Sequence, residues 1–383
     1  MFGGSPARAR YAESELRPPF RVSYTVSGGG TLIEMPPAIS RGRAVFGTHG
    51  GLVIAFRVRD GKILWKTALH RCLASAPAVR NGVVYIGWSG VGQCRRKKDE
   101  RGGLVALSLA TGEVLWRFRA GNVESSPAFV GNTLYFSGFR SRHESRVFAM
   151  RIAAPRRIIW SYPVPTKIAS SPALIGRTVY VSAYNQTVYA LDARTGRLRW
   201  ETSALSDASE ARFLLGMKSL VKRGSWTETG YYATPAIAYE RVYLGTIDGV
   251  FSAFDVDTGA HRWSRRLDGS VYGSAALWQE VAYIGTTNGV FYALAARDGR
   301  ELWKHDLDGK IFGSATVTNG RVYIATTTRE TYVFDARTGR LEWRFPDGEY
   351  SPLVVAGRRG VLVGKGRVYG IVNGRQTTGW RAF

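Results

Sequence analysis

A nine-residue phrase that ends in tryptophan recurs along the chain. DARTGRLRW at 192–200 and DARTGRLEW at 335–343 agree at eight of nine positions. Five related phrases also end in tryptophan, and the intervals between successive tryptophans are 51, 44, 40, 63, 40 and 40 residues. A unit of about 40 residues with occasional insertions is typical of solenoids and propellers. The tryptophans are Trp65, Trp116, Trp160, Trp200, Trp263, Trp303 and Trp343.

The complete unit is clearest at residues 171–202, which contain four short runs separated by turns. Apolar and polar residues alternate in these runs, and this period of two indicates antiparallel strands joined by hairpins. Other units place strong hairpin pairs, such as Asn81-Gly82 and Asn319-Gly320, at the corresponding turns. Such pairs adopt the positive φ that tight hairpins require.

Eight units can be counted from their first strands, which begin near residues 36, 76, 126, 171, 234, 274, 314 and 351. The last unit lacks a fourth strand, and the chain opens with an extra strand, RVSYTVS, before the first unit. Pairing these two ends would close a ring and remove the open sheet edges. We therefore predict an all-β, eight-bladed β-propeller of four-stranded antiparallel blades. Seven blades are the alternative, and they leave one unit unplaced.

The predicted domain boundaries follow from this count. Residues 1–19 form an N-terminal lead-in, and residues 20–383 form a single propeller with insertions at 89–103, 138–146 and 203–230. The repeated Asp and Trp positions are interpreted as building elements, because seven sites in register indicate a construction rule and not one active site. Each Trp is expected to wedge between neighbouring blades.

The phrase A-x-D-x-x-T-G-x-x-x-W resembles the tryptophan-docking motif of pyrroloquinoline-quinone (PQQ)-type propeller repeats. Full instances are Ala190 to Trp200 and Ala253 to Trp263. The opening FGGSPARARY is also similar to the lead-in of such proteins. The resemblance covers residues 20 to 372 and implies the propeller fold. It implies two functional classes: quinoprotein dehydrogenases, which hold PQQ and Ca²⁺ in the funnel, and non-enzymatic proteins such as the barrel-assembly lipoprotein.

The chain departs from both classes. The dehydrogenases usually carry two adjacent cysteines against the quinone, whereas this chain has only Cys72 and Cys94. The lipidated cysteine of the lipoprotein is also missing. We therefore expect no bound cofactor, with PQQ as the alternative, and we lean towards a protein that is not an enzyme.

Positive charge gathers in the insertions. The formal net charge is +24, from 53 Lys and Arg against 29 Asp and Glu. In a propeller, the loop between strands two and three lies on the same face as the connection to the next blade. Basic charge on that face predicts an acidic protein or anionic envelope polymer as partner, and a basic face that is merely solvated is the alternative. The candidates are Arg95, Arg96, Lys97, Lys98, Arg101, Arg140, Arg142, Arg146, Arg212, Lys218, Lys222 and Arg223.

The same face should carry the mouth of the central channel. Residues just before each first strand are expected to ring this funnel, and their mixture of aromatic and charged side chains suits a small polar ligand or a peptide. An empty channel whose lining residues satisfy one another is the alternative. The funnel candidates are Glu34, Arg71, Glu124, Lys167, Tyr232, Tyr272, Lys310, Phe312, Glu349 and Tyr350.

The two cysteines are both predicted to project from this face of the second blade. A Cys72–Cys94 disulfide would close a loop of about 20 residues and contribute about 3 kcal/mol in the loop-entropy model. Two unrelated thiols are the alternative. A disulfide would place the protein outside the reducing cytoplasm.

No residues suggest a catalytic centre. The five histidines are scattered without ligand spacing, and nucleophile or phosphate-binding motifs are missing from the sequence. The basic loops contain few aromatic residues, so a base-stacking nucleic-acid site is not favoured. No run of 18 apolar residues suggests a transmembrane helix.

These observations predict a monomeric, non-catalytic PQQ-like propeller that acts as an interaction scaffold with a basic, insertion-rich face. The alternatives are a PQQ-dependent alcohol or sugar oxidoreductase and a sugar- or peptide-binding propeller. We expect an exported or cell-envelope protein. Its export signal is expected to be absent from this chain, because the N-terminus lacks a signal-peptide core. A cytoplasmic location is the alternative.

Overall fold

The computed structural model of the protein describes residues 5, 7–90, 102–153, 156–203, 230–350 and 352–374. These residues form eight four-stranded antiparallel sheets. Alternating sequences supply the strands, and residues with positive φ supply tight turns between them. Asn81 and Gly82, for example, have φ values of 50° and 76° in the first hairpin of the second sheet. The prediction of an all-β, eight-bladed propeller is confirmed.

Each of the first four blades contains four consecutive strands, from the channel to the rim. They are β2 (Ala38–Ser40), β3 (Arg43–Gly47), β4 (Leu52–Arg57) and β5 (Ile63–Ala68) in blade 1; β6 (Ala78–Arg80), β7 (Val83–Trp88), β8 (Gly103–Ser108) and β9 (Val114–Arg119) in blade 2; β10 (Ala128–Val130), β11 (Thr133–Ser141), β12 (Glu144–Arg151) and β13 (Arg157–Val164) in blade 3; and β14 (Ala173–Ile175), β15 (Thr178–Ser182), β16 (Thr187–Asp192) and β17 (Leu198–Ser203) in blade 4.

The next three blades repeat this pattern, and the eighth takes its outer strand from the start of the chain. They are β18 (Ala236–Ala238), β19 (Arg241–Gly245), β20 (Val250–Asp255) and β21 (His261–Arg266) in blade 5; β22 (Ala276–Trp278), β23 (Val281–Gly285), β24 (Val290–Ala295) and β25 (Glu301–Asp306) in blade 6; β26 (Thr316–Thr318), β27 (Arg321–Thr326), β28 (Glu330–Asp335) and β29 (Leu341–Phe345) in blade 7; and β30 (Leu353–Ala356), β31 (Arg359–Val363), β32 (Arg367–Asn373) and β1 (Phe20–Ser27) in blade 8.

Strand β1 pairs antiparallel with β32, so the two ends of the described chain share blade 8. The register aligns Phe20 with Asn373 and Ser27 with Arg367. The inner strand β30 also contacts β2 of blade 1. The last blade therefore adjoins the first, and the inner strands form a circle around a central channel.

The hydrophobic core lies between neighbouring blades. The indole Nε1 of Trp263 in blade 5 donates to the carbonyl oxygen of Ala296 in blade 6 at 3.1 Å. Trp65, Trp160, Trp200 and Trp303 make the same kind of bond to the next blade. Trp343 instead meets Phe20 of β1 edge to face, with ring centroids 4.9 Å apart. The Trp rings therefore pack between sheets.

The predicted insertion at 138–146 is a longer hairpin and not an irregular loop. Strand β11 continues to Ser141 and β12 begins at Glu144, so the turn is confined to Arg142 and His143. The ladder includes Gly138 opposite Arg146. Most of the other two insertions lies outside the described residues.

Candidate functional site

The mouth of the central channel contains a cavity of about 260 Å³. Its walls come from the connections that lead from the fourth strand of one blade to the first strand of the next. The structure brings six of the predicted funnel residues into this lining: Glu34, Glu124, Tyr232, Tyr272, Phe312 and Tyr350.

Four of these residues form an arc of aromatic rings on the side of blades 5 to 8. Ring centroids are 5.5 Å apart between Tyr232 and Tyr272, 5.3 Å between Tyr272 and Phe312, and 6.4 Å between Phe312 and Tyr350. The tilted and edge-on packing is the arrangement that aromatic pairs favour. One side of the mouth is therefore lined by a continuous series of aromatic rings.

Two carboxylates complete the charged part of the lining. Glu34 Oε2 lies 2.7 Å from His49 Nε2, and Glu124 Oε2 lies 3.4 Å from Lys167 Nζ. Burial raises the pKa of Tyr232 well above its usual value, and the charges of Glu34 and Glu124 raise it further. Both carboxylates therefore act on a hydroxyl of the aromatic arc.

Burial, with smaller contributions from Glu34 and Glu349, also raises the pKa of Tyr350 to about 12. The phenols of Tyr232 and Tyr350 thus stay protonated at neutral pH and can donate hydrogen bonds to a ligand.

The other four predicted funnel residues do not line the cavity. Lys167 lies beneath the rings of Phe139 and Tyr184, where it pairs with Glu124. Glu349 Oε2 lies 3.5 Å from Lys365 Nζ. The side chains of Arg71 and Lys310 are exposed. Position before a first strand therefore does not by itself place a side chain in the cavity lining.

Sequence reasoning missed the hydroxyl groups in the same lining. Ser171, Thr234, Ser274 and Ser314 all contact the cavity. Each accepts a hydrogen bond from the backbone N–H of the equivalent residue one blade earlier. The Ser or Thr that begins six of the eight units was the available signal.

The channel below the mouth is crossed by the N-terminal lead-in. The backbone N–H groups of Ile237, Leu277 and Val317, on three successive inner strands, donate to carbonyl oxygens of Ala7, Ala9 and Arg10. The buried Arg8 donates to the carbonyl oxygens of Ser126 and Pro172, each at 2.9 Å. Burial, with a smaller effect from Arg10, lowers the pKa of Arg8 to about 9. The lead-in is therefore part of the propeller interior.

A second cavity, of about 270 Å³, lies between blades 2 and 3 on the face of the mouth. We call it the basic groove, because Arg119, Arg140 and Arg146 line it together with Glu144. Arg140 Nη1 lies 3.6 Å from Glu144, and Arg146 Nη1 donates to Ser161 Oγ at 3.0 Å. The three arginine side chains are exposed, so their charge faces solvent.

Arg140 and Arg146 belong to the predicted basic face, whereas Arg119 was missed. Arg119 ends a fourth strand, and sequence alone does not indicate that this strand end lies beside the hairpin of the following blade. The exposed Arg142 occupies the tip of that hairpin. The other predicted basic residues lie outside the described residues: Arg95, Arg96, Lys97, Lys98, Arg101, Arg212, Lys218, Lys222 and Arg223.

Cys72 lies in the connection that enters blade 2, where it is 6% exposed and forms an antiparallel bridge with Ser89. Its predicted partner, Cys94, is outside the described residues, so the disulfide stays a prediction. Within the described ranges, no group of three or more His, Cys, Asp or Glu side chains is placed to hold a metal ion. No helix in that part of the chain has the length and apolar character to cross a membrane.

Solved structures share this architecture. BamB from Moraxella catarrhalis superposes with a TM-score of 0.69 and 16% identity over 94% of this chain and 99% of that chain. A europium-containing methanol dehydrogenase superposes with a TM-score of 0.77 and 12% identity over 97% of both chains. At these identities the likeness establishes the fold alone.

Sequence comparison adds a relative and a family. The dehydrogenase subunit of a quinone alcohol dehydrogenase from Gluconacetobacter polyoxogenes is 31% identical over 128 residues, which are 29% of this chain and 16% of that protein. The PQQ_2 family matches residues 14–142, 97–202, 151–277 and 266–379, which together span the propeller. The chain therefore belongs to the PQQ_2 family, described as outer membrane protein assembly factor BamB.

Proposed function

We propose that this protein is a non-catalytic propeller scaffold of the cell envelope that binds an acidic partner through the basic groove. The observation that carries the proposal is the convergence of Arg119, Arg140 and Arg146 from two blades on one cavity. The description of the family as an outer membrane assembly factor supports an envelope role.

Electrostatics favour an acidic partner at this groove. Three arginines face one carboxylate, Glu144, in a protein whose formal net charge is +24. Arginine presents a planar fork of donors that matches carboxylate and phosphate groups. Exposed charges of this kind mainly speed association and set specificity, and salt screens them over about 10 Å. Binding should therefore be strongly salt-dependent.

The lining of the mouth cavity supports a role without PQQ. PQQ carries three carboxylate groups, and the resemblance to quinoproteins implies that it would occupy the mouth. The charged residues in the lining are Glu34 and Glu124, and no lysine or arginine lines the cavity among the described residues. Glu34 and Glu124 pair with His49 and Lys167, which do not line the cavity, so the described lining itself offers no cation to an anionic ligand. Without a bound cation such as Ca²⁺, these residues do not fit PQQ.

The test is retention on an immobilised polyanion such as heparin. The variant Arg119→Glu/Arg140→Glu/Arg146→Glu should bind about tenfold more weakly at an ionic strength of about 0.15 M, because it reverses the charge of the groove. A matched control reverses three exposed arginines in turns on the opposite face of the ring: Arg194, Arg197 and Arg297. Equal losses in the two variants would show that net charge alone, and not the groove, causes retention.

A quinoprotein oxidoreductase is the second candidate, favoured by the 31% identity to a quinone alcohol dehydrogenase. Its test is addition of PQQ and Ca²⁺ to the purified protein, followed by gel filtration and by dye reduction with alcohols or sugars. Stoichiometric retention of the quinone with substrate-dependent dye reduction would establish this activity and overturn the scaffold proposal. Quinone that elutes separately from the protein would leave the scaffold as the supported function.

A further inference from the structure

The mouth cavity differs in charge from the rest of the molecule. Lysine and arginine outnumber aspartate and glutamate by 53 to 29 in the chain, so a typical part of its surface should carry more cations than anions. The mouth lining reverses this ratio, because Glu34 and Glu124 line it and no lysine or arginine does among the described residues. The lining itself is therefore acidic, although Glu34 and Glu124 are paired with His49 and Lys167, which do not line the cavity.

The opposite wall of the cavity presents aromatic rings. The faces of aromatic rings are electron-rich and attract a cation within about 6 Å of the ring centroid. Tyr232, Tyr272, Phe312 and Tyr350 form a continuous arc, with neighbouring centroids between 5.3 and 6.4 Å apart. A cation in the cavity would lie between this arc and the two carboxylates.

The protein already builds this arrangement beside the cavity. The ammonium group of Lys167 lies 4.7 Å from the ring centroid of Phe139 and 5.0 Å from that of Tyr184, and 3.4 Å from Glu124 Oε2. The Tyr184 ring contacts the Tyr232 ring, with centroids 6.2 Å apart. The set of Lys167, two aromatic rings and a carboxylate thus adjoins the aromatic arc and shows how an ammonium group is held there.

We propose that the mouth cavity binds an organic cation, an alkylammonium or guanidinium group, between the aromatic arc and the carboxylates of Glu34 and Glu124. Its volume of about 260 Å³ is below the range of about 300–1,000 Å³ typical of drug-sized ligands. The cavity therefore suits one amine or one basic side chain. This inference concerns a cavity separate from the basic groove and stands independently of the proposed function.

Two sources supply this chemistry, a free polyamine and a lysine side chain of a partner. Calorimetric titrations with spermidine and with N-acetyl-lysine-N-methylamide distinguish them, and the tighter ligand identifies the source. N-acetyl-norleucine-N-methylamide, a neutral analogue of the lysine compound, should bind about tenfold more weakly because it has no charge for the rings or carboxylates. Equal binding of the neutral analogue, or binding of neither amine, would overturn the proposal.

Variants locate the binding to the cavity. Glu34→Gln/Glu124→Gln should lower amine affinity about tenfold, whereas Asp298→Asn, which removes an exposed carboxylate from a turn on the opposite face, should leave it unchanged. Tyr272→Leu should weaken binding severalfold and Tyr272→Phe should retain it, because phenylalanine keeps the ring face. Unchanged affinity in a folded Glu34→Gln/Glu124→Gln protein would contradict the proposal.

Variants of the basic groove and variants of the mouth cavity should affect the binding of different ligands. The Arg119→Glu/Arg140→Glu/Arg146→Glu variant should keep amine binding, since none of these arginines lines the mouth. The Glu34→Gln/Glu124→Gln variant should keep polyanion retention for the corresponding reason. Loss of amine binding in the arginine variant would mean that the cavity is not an independent site.

Discussion

The backbone N–H of Ser126 in blade 3 donates to the Oγ of Ser171 in blade 4 at 2.8 Å, and both groups are buried. The same bond recurs between successive blades, with distances from 2.8 to 3.0 Å. The donor and acceptor residues are Ala76 and Ser126, Ser126 and Ser171, Ser171 and Thr234, Thr234 and Ser274, and Ser274 and Ser314. These bonds tie neighbouring blades together at the channel mouth.

Replacing Ser171 by alanine should lower the free energy of unfolding by about 1–3 kcal/mol, because the Ser126 N–H would lose its acceptor in a buried position. Ser171→Thr should retain most of the stability, since Thr234 provides the same acceptor one blade later. Ser27→Ala is the control, because Ser27 Oγ accepts an exposed N–H bond from Gly29. Urea unfolding measures all three, and equal stability of Ser171→Ala and Ser27→Ala would contradict the role of the bond.

The glycine of the repeated phrase provides space for the tryptophan of the previous blade. Gly299 has a φ of 74°, and a Cβ added there would lie 2.7 Å from Cε3 of Trp263. Gly299→Ala should therefore destabilise the protein through both backbone strain and a clash with an indole ring. Gly82→Ala isolates the strain, because Gly82 has a φ of 76° with nothing within 4 Å of the added Cβ.

We expect Gly82→Ala to cost about 1 kcal/mol and Gly299→Ala to cost about 1–3 kcal/mol more. Thermal or urea unfolding measures the difference. Equal losses in the two variants would show that the indole moves aside freely and that the space at Gly299 is not required.

The repeat made the fold predictable, because period-two alternation, Asn-Gly turns and a Trp every 40 residues all indicate the same four-stranded unit. The pairing of β1 with β32 also followed from counting strands, since one unit lacked a strand and the chain began with a spare one. The path of Ala7 to Arg10 through the channel did not follow. No local pattern indicates that a short segment will hydrogen-bond to three inner strands that lie more than 200 residues away.

The candidate sites were predictable in part. The sequence predicted that Glu34, Glu124 and the aromatic arc lie at the channel mouth. They stand just before first strands, and the repeat places equivalent positions around one circle of the propeller. It did not indicate that Lys167 would turn away to pair with Glu124. Arg119 was missed because its neighbourhood depends on the packing of two blades and on the extension of the β11–β12 hairpin.

The Asp of the repeated phrase predicts a dependence of stability on acid. Asp255 Oδ1 accepts N–H bonds from Asp257 and Thr258 and an O–H bond from Thr258, and its Oδ2 accepts from Arg262 at 2.6 Å. The hydrogen bond from Arg262, followed by those from Thr258, holds the pKa of Asp255 well below its usual value. The folded state thus favours the ionised carboxylate.

This stabilisation is complete above the unfolded pKa of about 3.9 and is lost as pH falls from there towards the lower folded value. Asp255→Asn should therefore lower stability at pH 7 and reduce its fall between about pH 5 and pH 2. Asp298→Asn should change this loss of stability at low pH less, since Asp298 accepts only the Arg300 N–H among the described residues. Urea unfolding midpoints across this pH range measure the stability of both variants. An equal fall in stability at low pH for wild type and Asp255→Asn would refute the prediction.

The last prediction concerns the oxidation state of Cys72 and Cys94. A disulfide between them would stabilise the fold and would indicate a location outside the reducing cytoplasm. We expect a disulfide between them in protein recovered from its native compartment, and therefore no thiol that reacts with a thiol reagent in denaturant without reductant. Reduction should expose two thiols and lower the free energy of unfolding by about 3 kcal/mol, because the closed loop has about 20 residues. Cys94→Ser should reproduce this loss and leave one titratable thiol, whereas Ser89→Ala, a change beside Cys72, should leave none. Two free thiols in the untreated wild-type protein would disprove the disulfide and remove its support for an envelope location.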